Sequence, residues 1–169
     1  MVVIHVVVMG VSGCGKSAVG QRIARQLNLP LIEGDDFHPA SNMAKMRQGV
    51  ALTDADRADW LQTLSADLLG HPKGAVLTCS ALKVAYRDIL RTGSASLHFV
   101  HLVITQEESL SRVGNRPGHF YPPSLVASQF AALQDPTGEP CVLALDGQLA
   151  LDDLTAQAVA WLNNSTIRN

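Results

Sequence analysis

The sequence has little net charge and no cluster of charges of one sign. Its 13 basic and 15 acidic residues give a formal net charge of −2, and charged residues make up 17% of the chain. Proteins that bind nucleic acid or anionic membranes carry basic patches or stripes, because phosphate groups must be neutralised. The sequence therefore predicts no nucleic-acid partner and no membrane partner, and any positive field must be local.

Long apolar runs are also missing. The longest one surrounds residues 6–9, and it is far shorter than the roughly 20 residues that cross a bilayer. No basic segment precedes it, so it is typical of a buried strand rather than of a signal peptide. We therefore expect a cytoplasmic protein.

Cysteine is scarce, and the three cysteines share no metal-site or paired spacing. An odd number without an export signal indicates reduced thiols, as in the cytoplasm. Cys79 and Cys141 lie in strand-like runs, and we expect both to be small residues of the core.

The clearest motif follows the first apolar run. Residues 10–17 read G-V-S-G-C-G-K-S, the phosphate-binding pattern G-x-x-x-x-G-K-S, between a predicted strand and a predicted helix. Glycines let the backbone wrap closely around phosphate, and a helix N-terminus adds about half a positive charge. We predict that ATP binds here, that the Lys16 ammonium reaches its β- and γ-phosphates, and that the Ser17 hydroxyl binds Mg²⁺. The predicted nucleotide-binding residues of this loop are Gly10, Val11, Ser12, Gly13, Cys14, Gly15, Lys16 and Ser17.

Cys14 lies inside this loop at a helix N-terminus, where the pKa of a thiol can fall. Redox sensitivity is one hypothesis for it. The simpler interpretation, which we favour, is a tolerated variable position of the motif.

Short apolar runs alternate with helical patterns along the whole chain. The predicted strands cover residues 2–9, 31–32, 75–79, 97–103 and 141–145. Almost wholly apolar strands are buried on both faces, so we predict a three-layer α/β/α fold with a five-stranded parallel sheet. The 169 residues contain no linker, which predicts a single domain over 1–169. Residues 114–123 cannot hold regular structure, and we interpret about 112–125 as a mobile lid.

Two predicted helices begin with capping-box patterns. Thr105-x-x-Glu108 has the usual form, whereas Thr53-x-x-Asp56 carries Asp in place of Glu or Gln.

Acidic residues follow the second predicted strand, where an open α/β sheet keeps its ligand site. We predict that Asp35 orients or deprotonates an acceptor hydroxyl and that Glu33 holds Mg²⁺ through water. The third strand does not end in Asp, so the second strand must supply the carboxylate that a Walker B motif would provide. A turn or helix-cap role is the alternative for Asp35 and the preferred interpretation of Asp36.

Four basic residues are candidates for binding anionic groups. Lys83 follows the third strand and is predicted to meet an anionic acceptor, with a solvated lysine as the alternative. Arg57 opposes the dipole of its helix, which indicates either a ligand or a surface salt bridge. Arg112 and Arg116 flank the predicted lid and are expected to contact ATP, unless they are ordinary surface charges.

The histidines have no metal-binding spacing. His119, in the predicted lid, is either a substrate donor or a packing residue, and we expect a structural role for His38.

With these residues assembled, the chain resembles gluconokinase, a small sugar-acid kinase related to shikimate kinase. The resemblance is carried, beyond the phosphate loop, by G-D-x-x-H-P and N-x-x-K-M at 34–46, L-x-D-x-D-R-x-x-W-L at 52–61, C-S-A-L-K and Y-R-D at 79–88, R-x-x-x-R-x-G-H-F at 112–120, and S-Q-F-x-x-L-Q-x-P at 128–136. These motifs occur in order through most of the chain.

The resemblance implies transfer of the ATP γ-phosphate to the 6-hydroxyl of D-gluconate, Mg²⁺ dependence, and usually a homodimer. It also implies a P-loop fold like that of shikimate kinase, with strand order 2-3-1-4-5. Asp35 matches the acidic residue near the acceptor hydroxyl, and Arg57, Lys83 and His119 fall in motifs around the sugar acid. The chain departs from the family at Glu33, where relatives often carry Asp, and in a lid that Gly and Pro make less helical.

Two other functions remain open at this point. A kinase for shikimate or another aldonate would share most features, although residues 80–83 replace the Gly-rich loop that shikimate kinase usually shows after its third strand. An ATP-binding regulator without a small acceptor would not need Asp35, Lys83, Arg112 and Arg116 around one opening.

Overall fold

The computed structural model describes residues 2–94, 96–116 and 122–167. Within these ranges the strands are β1 (Ile4–Met9), β2 (Leu31–Glu33), β3 (Gly74–Thr78), β4 (His98–Val103) and β5 (Val142–Asp146). The helices are α1 (Lys16–Leu27), α2 (Ala40–Arg47), α3 (Asp54–Leu69), α4 (Val84–Arg91), α5 (Gln106–Gly114), α6 (Val126–Ala132) and α7 (Leu151–Ile167). Two 3₁₀ turns cover Gly34–Phe37 and Pro123–Leu125.

All strand pairs are parallel, and the sheet order is β2-β3-β1-β4-β5. Both the five-stranded parallel sheet and the strand order are therefore confirmed. The register pairs Val8 with Thr78 and Thr78 with Glu33, so the carboxyl ends of β1, β2 and β3 meet at one edge. Ligands bind at that edge in open α/β sheets.

Two apolar clusters cover the two faces of the sheet. Val6 and Val8 of β1 pack with α1 and α7, whereas Val7 and Met9 pack with the Trp60 side of α3. Because alternate residues of a strand point to opposite faces, this arrangement makes β1 the centre of three layers. Within the described ranges, no helix has the length and apolar content needed to cross a membrane.

The prediction for one cysteine is wrong. Cys79 is buried, and burial raises the pKa of its thiol to about 12. Cys141 is exposed and has a left-handed backbone conformation with φ of 57°. It precedes β5, which is an edge strand of the sheet. Few residues of β5 are fully buried, because only one side of an edge strand has a neighbouring strand.

The two capping patterns also differ in the structure. Asp56 completes a full capping box with Thr53. Thr105 accepts a hydrogen bond from the backbone N–H of Glu108, but the Glu108 carboxylate is bound by Arg112 Nε at 2.7 Å. The second pattern is therefore only half of a capping box, because an arginine one turn later is the stronger partner for the carboxylate.

Candidate active site

A cavity of about 520 Å³ opens at the carboxyl edge of the sheet. Its wall includes the phosphate loop, the 3₁₀ turn after β2, the start of α3, the end of α5 and part of α6. Nine of the residues predicted from the sequence share this wall: Ser12, Gly13, Gly15, Lys16, Ser17, Asp35, Arg57, Arg112 and Arg116.

The phosphate loop has the backbone that its glycines permit. Gly13 and Gly15 have φ values of 79° and 98°, a region that side chains disfavour. A Cβ atom at Gly10 would lie 2.7 Å from the Cys14 sulfur and 2.8 Å from the Leu102 carbonyl oxygen. The loop is therefore both left-handed and tightly packed, and substitution of these glycines would deform it.

Lys16 lies within the loop that precedes it. Its ammonium donates to the carbonyl oxygens of Gly10 at 2.9 Å and Val11 at 3.0 Å. Because the lysine lines the cavity and its stem is flexible, the ammonium can reach an anion placed over the loop without a backbone change.

Glu33 is held by two hydroxyl groups at the sheet edge. Ser17 Oγ donates to Glu33 Oε2 at 3.0 Å, and Thr78 Oγ1 donates to the same oxygen at 2.6 Å. The end of β3 thus supplies a threonine that orients the carboxylate of β2. This contact was not predicted from the sequence, because the two residues are 45 positions apart.

The Ser17 hydroxyl and the Glu33 carboxylate offer two oxygen ligands to a small divalent cation. Mg²⁺ prefers oxygen ligands and usually takes one or two from the protein and the rest from phosphates and water. No group of three or more His, Cys, Asp or Glu side chains in the described ranges could hold a metal ion by itself. Ser17 and Glu33 therefore match a Mg²⁺ site in which the protein supplies two ligands and the nucleotide phosphates and water supply the rest.

Asp35 lies in the 3₁₀ turn that follows β2. Its side chain is 60% exposed and faces the cavity, with Oδ1 3.8 Å from Nε2 of His38. The His38 ring stacks on the Trp60 indole with 4.0 Å between ring centroids. His38, for which we expected a structural role, also lines the cavity.

Arg57 enters the cavity from the first turn of α3. Its Nη1 donates to the Leu52 carbonyl oxygen at 2.5 Å and to the Tyr86 hydroxyl at 3.4 Å. The guanidinium lies 5.5 Å from the centre of the Tyr86 ring. None of the ion pairs found in the described ranges involves Arg57, so a ligand explains its position better than a surface salt bridge.

Lys83 does not lie at the opening of the cavity, where the sequence predicted that it would meet an anionic acceptor. It does not line the cavity, and its ammonium binds Asp54 Oδ1 at 2.9 Å. Tyr86 donates its hydroxyl hydrogen to the same carboxylate. These hydrogen bonds, that of Tyr86 first and that of Lys83 second, lower the pKa of Asp54, and the Asp54 contact raises the pKa of Lys83. The prediction failed because the carboxylate at the start of α3 attracts the lysine away from the opening.

The two arginines near the predicted lid both face the cavity. Arg112 donates to the carbonyl oxygen of Gly13 at 3.2 Å and to that of Gly147 at 3.1 Å. It therefore joins the phosphate loop to the segment after β5. His119 lies outside the described residues, as do the other residues of the predicted lid between 117 and 121.

Sequence reasoning missed Gln129. Its side-chain oxygen accepts the backbone N–H of Ser12 at 2.6 Å, which links α6 to the phosphate loop. The S-Q-F motif contains this residue, but no local pattern indicates a partner 117 positions away.

Several known proteins resemble this chain in sequence or in structure. The family model described as Shikimate kinase matches residues 12–129. The chain is 45% identical over 136 residues to the thermosensitive gluconokinase of Escherichia coli K12, covering 79% of this chain and 73% of that protein. It is 46% identical over 148 residues to the gluconokinase of Gluconobacter oxydans 621H, covering 84% and 82% of the two chains. A crystal structure of a gluconokinase from Sinorhizobium meliloti 1021 superposes with a TM-score of 0.90 at 41% identity, covering 98% of this chain and 94% of that one.

Proposed function

Because this chain belongs to the shikimate kinase family, and within it to the gluconokinases, we propose that it transfers the γ-phosphate of ATP to the 6-hydroxyl of D-gluconate. The products are 6-phospho-D-gluconate and ADP. One observation carries the proposal: Lys16 of the phosphate loop shares a single cavity with the carboxylate of Asp35 and the guanidinium of Arg57.

The donor side of the cavity is built for a triphosphate. Backbone N–H groups of residues 13–17 and the Lys16 ammonium would bind phosphate oxygens, with Arg112 of α5 and Arg116 just beyond that helix also facing the cavity. Phosphoryl transfer passes through a loose transition state, so charge neutralisation and alignment are the main contributions that the protein makes. The arginines suit the spread charge of that transition state.

Mg²⁺ would be held by Ser17 and, directly or through water, by Glu33, whose carboxylate the Thr78 hydroxyl orients. When bound, it would neutralise charge on the phosphate oxygens.

The acceptor side has one acidic and one basic group. We propose that the Asp35 carboxylate accepts a hydrogen bond from the attacking hydroxyl and that the Arg57 guanidinium binds the carboxylate of the sugar acid. Because a charged partner at each end fixes a flexible chain molecule in one direction, the two groups together would present its terminal hydroxyl to the phosphate. Lys83 has no part in this assignment, since its ammonium is bound to Asp54.

Three further statements belong to this proposal. Residues 112–125 serve as a lid over the nucleotide, the chain 1–169 acts as one domain, and the protein works as a cytoplasmic homodimer. The support is the family resemblance and, for the lid, the two arginines at its start. Light scattering coupled to size-exclusion chromatography tests the dimer.

The decisive experiment is ADP release measured with Mg-ATP and a panel of acceptors: D-gluconate, L-idonate, 5-ketogluconate, shikimate and none. We expect turnover with D-gluconate and its loss in Lys16→Ala. Preference for another acid would retain the kinase and reject the acceptor. ATP binding without turnover of any acceptor would instead favour an ATP-binding regulator.

A further inference from the structure

His38 is unusually constrained for a residue that lines the cavity. Its side chain is only 5% exposed, and one face of its ring is covered by the Trp60 indole at an interplanar angle of 15°. Trp60 is itself fixed, because its Nε1–H donates to the Gly34 carbonyl oxygen at 2.8 Å. The imidazole therefore has one orientation, and its two nitrogen atoms face different neighbours.

The neighbour of Nδ1 determines which nitrogen carries the proton. The Asn42 side-chain nitrogen donates to the Asp56 carbonyl oxygen at 2.9 Å, which fixes the orientation of the amide. The same nitrogen lies 3.4 Å from His38 Nδ1. An amide NH₂ group only donates, so Nδ1 must accept, and the proton of the neutral ring must reside on Nε2.

The ring stays neutral at physiological pH. Burial lowers the pKa of His38, Asp35 opposes this effect, and the nearby Arg57 charge adds to it. The Nε2 atom is thus a fixed donor of one hydrogen bond.

The distance between Nε2 and Asp35 Oδ1 shows what this donor can contact. At 3.8 Å the two atoms are too far apart for a direct hydrogen bond. One oxygen placed about 2.9 Å from each of them would bridge the gap at an angle of about 80°. A hydroxyl group meets both needs, because it accepts from the histidine and donates to the carboxylate.

We propose that His38 is a substrate-binding residue whose Nε2–H donates to the sugar-acid hydroxyl that Asp35 holds by its proton. A hydroxyl rotates freely about its C–O bond, and one donor with one acceptor fix that rotation. His38 and Asp35 together therefore direct the hydroxyl hydrogen to the carboxylate and leave a lone pair for the phosphorus. Asn42 acts through the ring as a positioning residue. This inference rests on the proposed function.

Two matched variants test the donor. The amide nitrogen of Gln reaches the position of histidine Nε2, whereas the shorter Asn reaches only that of Nδ1. His38→Gln and His38→Asn both lose the ring stack on Trp60 and should lose similar thermal stability. We expect His38→Asn to lower kcat/KM for D-gluconate by about 10- to 100-fold, and His38→Gln to retain at least tenfold more activity than His38→Asn. The Kd for ATP should be the same in both variants.

The protonation state has a direct readout that needs no turnover. A long-range ¹H–¹⁵N correlation spectrum of the wild-type protein at pH 7 should show His38 as the neutral form with hydrogen on Nε2. In Asn42→Asp, where a carboxylate replaces the donor, that signature should be lost.

The outcomes separate the two proposals. Wild-type protein that does not phosphorylate D-gluconate refutes the proposed function, and the inference about its hydroxyl fails with it. Wild-type turnover combined with equal activity of the two His38 variants, or with hydrogen on Nδ1 in the spectrum, overturns the role of His38 alone.

Discussion

The completely buried guanidinium of Arg87 binds the carboxylate of Glu139, with 2.7 Å between Nη2 and Oε1. The same guanidinium donates to the carbonyl oxygens of Ala81 at 2.7 Å and Gln134 at 2.9 Å. Ala81 has a left-handed backbone with φ of 47°, and the carbonyl of the residue before it accepts the N–H of Gly10. One arginine side chain therefore holds the segment that supports the start of the phosphate loop.

Replacement of this arginine should strongly destabilise the fold. Arg87→Met leaves the buried carbonyl of Ala81, the carbonyl of Gln134 and part of a carboxylate without a donor, and breaking a buried pair in this way costs about 3–5 kcal/mol. The free energy of unfolding from urea titration measures the loss. Arg22→Met is the matched control, because the ion pair of Arg22 with Asp152 is exposed and should contribute less than about 1 kcal/mol. Equal effects of the two substitutions would contradict the assigned role.

Stability should fall when the pH drops below about 6.5, the ordinary value for histidine. Burial lowers the pKa of His38, His98 and His101, and the Nδ1 atoms of the last two have no hydrogen-bond partner in the described ranges. The unfolded chain therefore binds protons first as the pH falls, and each such proton adds a slope of up to about 1.4 kcal/mol per pH unit.

Urea titrations at pH 7.5, 6.5 and 5.5 test this window. His98→Phe keeps a ring beside Trp161, removes one titrating group and should reduce the slope. Carboxylates affect stability only at lower pH. The Lys45 hydrogen bond lowers the pKa of Asp56 to about 2, so the stabilisation from the Asp56 carboxylate is lost only when the pH falls below 3.8, the ordinary pKa of aspartate. Stability that stays constant between pH 7.5 and 5.5 would refute the prediction.

The sequence alone predicted some parts of the fold and the site and missed others. The phosphate loop and the sheet were predictable because a local motif and the burial of single strands determine them. Lys83 was misplaced because its partner, Asp54, lies 29 positions away and competes with any ligand. Cys141 was misplaced because an edge strand and a central strand can share the same apolar sequence. The contact of Gln129 had no local signal, since it depends on how α6 packs against the loop.

The carboxylate of Asp35 should be necessary for turnover. Asp35→Asn keeps the shape of the side chain but cannot take up a proton, and loss of a positioned acid–base group lowers rates by about 10²–10⁴-fold. We expect this loss in kcat, with little change in the Kd for ATP. Asp36→Asn is the control: Asp36 is adjacent, is exposed and does not line the cavity, so its kcat should stay close to that of the wild type.

Arg57 and Lys83 should differ sharply as determinants of sugar-acid binding, although the sequence motifs treat them alike. Arg57 faces the cavity, and a hydrogen bond from a guanidinium to a carboxylate contributes about 1.5–3 kcal/mol, so Arg57→Gln should raise KM for D-gluconate by about 10- to 100-fold. Lys83→Gln removes the ion pair with Asp54, whose side chain is 67% exposed, and the contact with the Tyr86 ring, and should change KM by less than about threefold. Steady-state kinetics at saturating ATP distinguish the two variants. A larger rise in KM for Lys83→Gln than for Arg57→Gln would contradict the assignment. It would show that Lys83 leaves Asp54 to bind the acceptor, and that the sugar-acid carboxylate binds at the start of α4 rather than at α3.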